Sequence, residues 1–378
     1  MTHTMAYTCP EVLTEVRGTV GCITLNRPRA LNALSLPMIR ALAVALLTWR
    51  EDPQVQAVAI RGMSKGGPSG SQEGPFGAFC AGGDIRFFHQ AVLRADAELE
   101  DFFTEEYALN HLIHHYPKPY IAFMDGVVMG GGMGISQGAR LRIVTPRSKI
   151  AMPETNIGLF PDVGGGWFLA RGPKHGGEWL ALTSEVIGAG DALALQLADV
   201  CFDPNRLGEA WDALAAMSKI DGDSLRGWQQ NYLAPSPVAT LPLDAIARCF
   251  EQPSVLRIVQ VLEQEAGEWA AATARALRTH SPLMLEVTLE QIRRGATMTL
   301  AEELRMERDM VRHCFNTRHL ERYTTATDTM EGIRALVIDK DRQPKWNPAR
   351  LEDVTSDMVQ GFFASPWPAH AHPLRELA

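Results

Sequence analysis

Two carboxylates flank an apolar loop in the stretch MPETNIGLFPDVGGG, which covers residues 152–166. Glu154 precedes the apolar run IGLF, and Asp162 lies between that run and three glycines. A carboxyl group in apolar surroundings has a raised pKa, which suits a general acid, a general base or a nucleophile. Glu154 is therefore a candidate general acid or base, with Asp162 as a second acid at the far end of the same apolar run.

Each of these acids also has a purely structural interpretation. Asp162 could cap the helix predicted for VGGGWFLA, since Asp is a preferred N-cap residue. Glu154 could be a helix-cap or surface carboxylate, although Met152, Pro153 and the IGLF run around it favour burial. The sequence alone leaves both alternatives open.

Three glycine-rich turns, each after a predicted strand, accompany the acids: GGD at 82–84, GGG at 130–132 and GGG at 164–166. Glycine lets backbone N–H groups approach a ligand closely, and a helix N-terminus directs such groups at an anion. Two facing turns would form an oxyanion hole, whereas tight turns and close helix packing would use the same glycines. The turns match neither the dinucleotide fingerprint G-x-G-x-x-G nor a Walker loop.

Alternating strands and helices over residues 12–170 would position these turns. VLTEVR and VGCITL around Gly18-Thr19 predict a hairpin, and a helix with Ser35 as N-cap should follow to Trp49. VQAVAIRG, PYIAFMDGVV and LRIVT predict further strands, a long helix covers about residues 96–115, and MGGGMGIS should open another. This alternation predicts an α/β layer fold with buried strands.

From about residue 175 the pattern becomes helical, and no convincing strand is predicted. The runs 255–278 and LAEELRMERDMVRHCF are helical, and a proline-containing break near Pro282 separates them. We divide the chain into a core over residues 1–200, a helical C-terminal domain over 201–365 and a disordered tail over 366–378.

The composition is that of a globular protein, with 46% hydrophobic and 21% charged residues among 378. The net charge is −8, and no Lys/Arg cluster interleaves with aromatics, so nucleic acid is excluded as an expected partner. No apolar run reaches the roughly 18 residues that span a bilayer, and MTHTMAYTCPEVLTEV lacks a signal-peptide layout. We expect a cytoplasmic protein without a membrane partner.

Cysteines and histidines predict neither disulfides nor a metal site. The six cysteines contain no C-x-x-C pair, as expected of reduced, buried thiols. HLIHH places His111, His114 and His115 at helical spacing, but no carboxylate or cysteine spacing supports a metal site. No metal and no organic cofactor is expected.

Four segments together resemble the crotonase, or enoyl-CoA hydratase/isomerase, superfamily: ITLNRPRALNAL (23–34), FCAGGDI (79–85), DGVVMGGGMGIS (125–136) and MPETNIGLFPDVGGG (152–166). The last of them, together with IRALVIDKDRQPKWNP (333–348), resembles the 3-hydroxyisobutyryl-CoA hydrolase branch. The resemblance covers about residues 12–350. It implies a spiral of β-β-α turns followed by a helical C-terminal domain, and an acyl-CoA thioester as substrate.

The resemblance also implies roles for individual residues. The N–H groups of Gly83 and Gly131 would form the oxyanion hole for the thioester oxygen. Another group would contact the substrate: Arg29, Ala30 and Leu31 at the CoA adenosine, Ala81 through its carbonyl at the adenine, Asp84 and Ile85 in the FCAGGDI segment, and Glu106 in the acyl pocket.

One departure from the family pattern favours hydrolysis over hydration. Enoyl-CoA hydratases use two glutamates, and the first of these positions is Gly134 here, while the second is Glu154. Asp162 stands where hydratases have a small residue. In the hydrolase pattern, Glu154 would attack the thioester carbonyl or deprotonate a water, and Asp162 would bind the 3-hydroxyl or position water.

The predicted function is therefore hydrolysis of 3-hydroxyisobutyryl-CoA, or of a close 3-hydroxyacyl-CoA, in valine breakdown. A hydratase or isomerase of the same superfamily and a non-catalytic acyl-CoA-binding protein remain the alternatives. Members of the superfamily often form trimers or hexamers, so a homo-oligomer stays open. The long Gly/Ser/Pro-rich loop at 62–78 either alters access to CoA or, as we favour, decorates the surface.

Overall fold

A computed structural model describes residues 9–65, 74–235 and 237–378. The chain forms two compact units, each built from three separate segments. The first comprises Met1–Gly83, Leu109–Ile150 and Val186–Thr240, and the second Asp84–Ala108, Ala151–Glu185 and Leu241–Ala378. This division differs from the predicted boundary at residues 200/201, because two segments from the first half of the chain pack with the C-terminal helices.

The strands belong mainly to the first unit. They are β1 Val12–Arg17, β2 Val20–Leu25, β3 Ala57–Ser64, β4 Gly74–Pro75, β5 Tyr120–Met124, β6 Val127–Met129, β7 Leu141–Val144, β8 Lys149–Ala151 and β9 Val200–Cys201. One sheet has the order β1-β2-β3-β5-β7-β9 with β4 on β3, and β6 pairs with β8. From β2 to β9 the neighbours run parallel, whereas β1 and β4 are antiparallel to their partners.

Helices alternate with the strands along the first part of the chain and make up most of the second unit. They are α1 Leu36–Glu51, α2 Ile85–Arg94, α3 Glu98–His114, α4 Gly131–Gln137, α5 Gly165–Leu169, α6 Gly176–Thr183, α7 Ala189–Ala194, α8 Leu207–Ala215, α9 Gly222–Gln230, α10 Leu243–Phe250, α11 Val255–Gln264, α12 Glu268–Thr279, α13 Pro282–Gly295, α14 Leu300–Phe315, α15 Asp328–Ile333 and α16 Ser356–Gln360. The predicted α/β class is confirmed, with every residue of β2 and β5 buried.

An aromatic core fixes the sheet of the first unit. Trp211 on α8 is fully buried and its ring lies 5.3 Å from that of Phe123 on β5, in an edge-to-face arrangement. Trp228 on α9 packs against Phe202, with ring centroids 5.5 Å apart. This core covers one face of the larger sheet.

The first part of the chain follows the predicted elements closely. β1 and β2 form the hairpin, with Arg17 opposite Val20. α1 begins directly after Ser35, but the Ser35 hydroxyl donates to Glu11 Oε2 at 3.1 Å instead of capping the helix. Of the loop at 62–78, residues 66–73 lie outside the described residues. The role of this loop therefore stays a prediction.

Three elements depart from the predicted pattern, two of them in the helical part. β9 pairs with β7 where no strand is predicted, because two residues are too short to show alternation. The run 255–278 forms two helices, α11 and α12, separated at Gly267 with φ +111°. α2 precedes the long helix α3, which is confirmed within two residues of its predicted ends.

The last residues, predicted as a disordered tail, have defined contacts. His372 and Leu374 are buried, and Arg305 Nη1 donates to the Leu377 carbonyl at 2.8 Å. His372 Nε2 lies 3.3 Å from Asp309 Oδ1. The tail is ordered because polar side chains of α14 supply partners that a local sequence pattern does not show. In the described part of the chain, no helix is long and apolar enough to cross a membrane.

Candidate active site

The first two glycine-rich turns lie side by side in the first unit. Met129 N donates to the Cys80 carbonyl at 3.0 Å, which joins the two segments. A Cβ on Gly132 would lie 2.3 Å from that same carbonyl oxygen, and one on Gly82 would lie 3.6 Å from Gly131 N. At Gly132 the two backbones therefore approach more closely than a side chain would allow, whereas at Gly82 they are in ordinary contact.

These turns present two unpaired N–H donors. Gly131 is the first residue of α4, where N–H groups have no intrahelical acceptor. Over residues 9–65, 74–235 and 237–378, the N–H groups of Gly83 and Gly131 donate to no protein acceptor. Leu34 N donates to Gly82 O at 2.7 Å and so anchors the first turn. Two free donors on adjacent turns suit an oxygen that gains negative charge.

The segment expected at the CoA adenosine adjoins the first turn. Arg29 and Leu31 are exposed on the short 3-10 helix Pro28–Ala30 and its end, and Ala81 N donates to Leu31 O at 3.0 Å. Asn32, which the sequence reasoning missed, is fully buried and its Nδ2 donates to three backbone carbonyls of neighbouring segments. The available sequence signal was the single amide side chain, Asn32, among the apolar residues of RALNAL.

Asp84 and Ile85 open α2 in the second unit. The Asp84 carboxylate caps the helix, since Oδ1 accepts a hydrogen bond from Phe87 N at 3.2 Å. Ile85 is half-buried. This geometry gives Asp84 a structural role, and the substrate contacts of Asp84 and Ile85 stay predictions.

Three predicted acids meet in the second unit. Glu106 on α3, Glu154 at the start of the 3-10 helix Glu154–Ile157, and Asp162 before α5 are 2%, 7% and 6% exposed. Burial raises the pKa of Glu106 well above its usual range, and the nearby Asp162 and Glu154 charges raise it further. The three carboxyls are therefore close enough to interact electrostatically, as expected of one acidic pocket.

The acids differ in ionisation because their partners differ. Burial, with the Asp162 charge, raises the pKa of Glu154 well above the usual range. Burial also raises the pKa of Asp162, but only to about 6, because the hydrogen bond from Tyr107 favours the charged form. Two carboxyls with separated pKa values suit different tasks in one reaction.

Tyr107 is a site residue that the sequence reasoning missed. Its hydroxyl donates to Asp162 Oδ2 at 2.9 Å, and its side chain is fully buried next to Glu106 on α3. This bond also decides against Asp162 as a helix N-cap, a position that Gly164 occupies. By contrast, Glu154 Oε2 and Glu106 Oε1 are buried with no protein partner in the described chain. Such atoms are available to a substrate or a water.

A second group of buried polar residues was also missed. Gln291 on α13 and Glu303 and Glu307 on α14 have no exposed surface and lie under the turn that follows Asp162. The signal was an acidic pair four residues apart on a face of α14 that also carries Leu300 and Leu304. As for metals, the described residues hold no group of three or more His, Cys, Asp or Glu side chains that could bind an ion.

Comparison with known proteins identifies the family. Residues 20–363 match the sequence model described as Enoyl-CoA hydratase/isomerase. The chain belongs to this family. It is 39% identical to the 3-hydroxyisobutyryl-CoA hydrolase, mitochondrial, of Rattus norvegicus, over 94% of this chain and 89% of the relative. It is 36% identical to the human protein of the same name over equal shares, which places it in that branch of the family.

Solved structures confirm the crotonase-like fold. A carnitinyl-CoA dehydratase from Mycobacterium thermoresistibile has a TM-score of 0.84 and 33% identity, with 97% of this chain and 99% of that chain covered. An enoyl-CoA hydratase from Rhodobacter sphaeroides has a TM-score of 0.81 and 35% identity, with 94% and 98% covered. The names of these structures differ from those of the sequence relatives, so the reaction must be argued from the site.

Proposed function

We propose that this protein hydrolyses 3-hydroxyisobutyryl-CoA, or a close 3-hydroxyacyl-CoA, to the free acid and CoA, as a step in valine breakdown. Relatives with this activity in their names are 36–39% identical over nine-tenths of the chain. The structural observation that carries the proposal is the pair of buried acids, Glu154 without a partner and Asp162 held by Tyr107.

Glu154 starts the reaction in this proposal. Its ionised carboxylate either attacks the thioester carbonyl carbon, forming a mixed anhydride, or takes a proton from a water that attacks there. The thioester oxygen becomes negatively charged and is stabilised by the N–H groups of Gly83 and Gly131. Collapse of this intermediate breaks the C–S bond and releases CoA as its thiolate. The water route gives the free acid directly, whereas in the covalent route a water then hydrolyses the mixed anhydride to the free acid and restores the Glu154 carboxylate.

Asp162 provides selectivity for the hydroxylated acyl group. Its carboxylate accepts a hydrogen bond from the 3-hydroxyl while Tyr107 holds the other side of the group. An acyl chain without this hydroxyl would leave a buried acceptor unpaired, which disfavours it strongly. Glu106 lines the same acidic pocket, where burial raises its pKa well above the usual range.

The main rival is hydration or isomerisation of an enoyl-CoA. It is disfavoured because Gly134, fully inside α4, leaves no carboxyl where hydratases have their first glutamate. The non-catalytic alternative is disfavoured by two orphaned buried carboxyl oxygens, which cost stability unless they serve a ligand.

Thiol release distinguishes these functions. We expect rapid release of free CoA from 3-hydroxyisobutyryl-CoA, slow release from isobutyryl-CoA, and loss of both in Glu154→Ala. An absorbance change with crotonyl-CoA and no thiol release would establish the hydratase instead. Tight binding with neither signal would establish a binding protein.

The proposal also covers the cellular location of the protein, its oligomeric state and its need for cofactors. We propose a cytoplasmic enzyme, although the relatives quoted above are named mitochondrial; cell fractionation tests this. Light scattering of the purified protein measures its molar mass and so tests whether it forms a homo-oligomer. Full activity after dialysis against a chelator would support the absence of a metal or organic cofactor.

A further inference from the structure

Glu307 contacts the backbone of the turn that carries Asp162. Its Oε2 lies 2.8 Å from Gly164 N and its Oε1 lies 3.4 Å from Gly166 N. These are N–H groups at the start of α5, which have no acceptor inside that helix. A carboxyl group from α14 therefore caps α5 from outside.

Gln291 extends this support to the residue before Asp162. Its Nε2 lies 2.8 Å from the Pro161 carbonyl and 2.9 Å from Glu307 Oε1. Pro161 and Gly164 bracket the Asp162 position, so both ends of this short turn are fixed by side chains of α13 and α14. Glu307 and Gln291 have no exposed surface, so this support lies inside the second unit.

The turn needs such support because its backbone is strained. Val163 has φ +59° and Gly164 has φ +87°, so two successive residues adopt left-handed conformations. For a β-branched residue this conformation is rare, since its Cβ crowds the backbone carbonyl. Strained conformations persist where the surroundings enforce them, and they occur mainly at functional sites.

We propose that Glu307 is a positioning residue for the reaction. Through the N–H groups of Gly164 and Gly166, it holds the strained turn in the conformation that directs the Asp162 carboxylate to the 3-hydroxyl of the acyl group. This inference rests on the proposed function, because it takes Asp162 as the group that reads the hydroxyl. It assigns to a residue outside the pocket a part of the selectivity for 3-hydroxyacyl thioesters.

The test compares two acyl thioesters in Glu307→Gln. The carboxyl of Glu307 accepts from Gly164 N, Gly166 N and Gln291 Nε2, and the glutamine amide replaces one of its two oxygens by a donor. The turn should therefore loosen while the chain still folds. We expect kcat/KM for 3-hydroxyisobutyryl-CoA to fall at least about 10-fold and that for isobutyryl-CoA to change less than about 2-fold. Asp162→Asn should lose the same selectivity, and the double variant should lose little more.

Asp309→Asn is the matched control, because Asp309 is a buried acid on the same helix whose partners are Ser365 and His372 instead of the turn. Its selectivity should stay within about 2-fold of the wild-type value. Equal losses on both substrates in Glu307→Gln would show general structural damage and overturn the inference.

Amide hydrogen exchange over residues 160–170 provides a readout that needs no substrate. In Glu307→Gln we expect exchange at Gly164 and Gly166 to accelerate at least about 10-fold, with Asp309→Asn unchanged. If wild type shows no preference for the hydroxylated substrate, the role proposed for Asp162 fails. Amide exchange alone then tests whether Glu307 holds the turn. Unchanged exchange in Glu307→Gln overturns the positioning role.

Discussion

At the residue scale, hydrogen-bond partners distinguish the buried carboxyls. Asp162 is held by Tyr107, and Glu307 is held by backbone N–H groups, whereas Glu154 Oε2 has no protein partner among the described residues. A group with fixed partners stays in place and can orient a substrate. A group with an unpaired oxygen can approach a reacting atom, which is why we assign the chemical step to Glu154.

The first prediction concerns that assignment. Glu154→Gln keeps the shape of the side chain but removes its basicity and nucleophilicity. We expect kcat for thiol release to fall by roughly 10²–10⁴-fold with KM little changed. Stopped-flow thiol detection measures this, and a variant that retains more than a tenth of wild-type kcat would contradict the assignment.

The second prediction concerns the pH dependence of stability at Asp162. Its pKa is raised from 3.8 to about 6 in the folded protein. The native state therefore holds a proton that the unfolded state has released, and stability from this group is present below about pH 4 and lost as the pH rises through about 6. Asp162→Asn cannot titrate and should lack this loss.

Urea unfolding at pH 4.5 and at pH 7.5 measures the effect. Relative to Asp162→Asn, wild type should lose on the order of 2 kcal/mol of unfolding free energy between these pH values. Taking the difference between the two proteins cancels the contributions of titrating groups that do not interact with Asp162; the lowered pKa values of Glu106 and Glu154 in the variant belong to the measured effect. An equal pH dependence in both would place the folded pKa of Asp162 near its ordinary value.

At the element scale, α4 and the segment before α2 must meet through bare backbone. A Cβ at Gly132 would come within 2.3 Å of the Cys80 carbonyl oxygen, and backbone cannot move aside as a flexible side chain can. The close approach places the free N–H groups of Gly83 and Gly131 on neighbouring turns. Strand and helix packing therefore determines the distance between the two donors.

The third prediction follows from this contact. Gly132→Ala should force the turns apart, lowering kcat at least about 10-fold and the unfolding free energy by about 1–3 kcal/mol. Gly227→Ala is the control, because a Cβ there meets nothing within 4 Å and the residue lies inside α9. It should be neutral or slightly stabilising, since Ala is the better helix former. Similar behaviour of the two variants would contradict the packing argument.

At the scale of the whole molecule, the second unit is assembled from three distant segments. Arg308 on α14 is 1% exposed, and it donates to Thr104 Oγ1 at 2.9 Å and pairs with Glu100, both on α3. Glu307 on α14 likewise has a distant partner, the N–H group of Gly164. The C-terminal helices thus bury ionisable groups whose partners lie about 140 to 210 residues away along the chain.

The fourth prediction is that residues 241–378 do not fold as an isolated fragment. Without their partners, Glu307 and Arg308 would be buried unpaired, at a cost of several kcal/mol. Circular dichroism should show no cooperative thermal transition for the fragment, and co-expression with residues 1–240 should restore one. A cooperative transition for the fragment alone would show that the interleaved contacts are dispensable.

Local sequence patterns determined most of the secondary structure and the family. The hairpin β1–β2, helix α4 after its glycines, and α14 with the Thr299–Glu302 capping box follow from signals within a few residues. Glu154 and Asp162 could be selected because acids beside an apolar run and a glycine turn are costly without a task. These features depend on neighbours in the chain, which a sequence displays directly.

Only the tertiary structure decided which partners the acids have. The Tyr107 hydroxyl on Asp162 and the Glu307 carboxyl under Gly164 join residues 55 and 143 positions apart. The same holds for the strand β9, the ordered tail and the division into interleaved units. No local propensity encodes such contacts, because they arise when distant segments bury their polar groups together and must satisfy one another's hydrogen bonds.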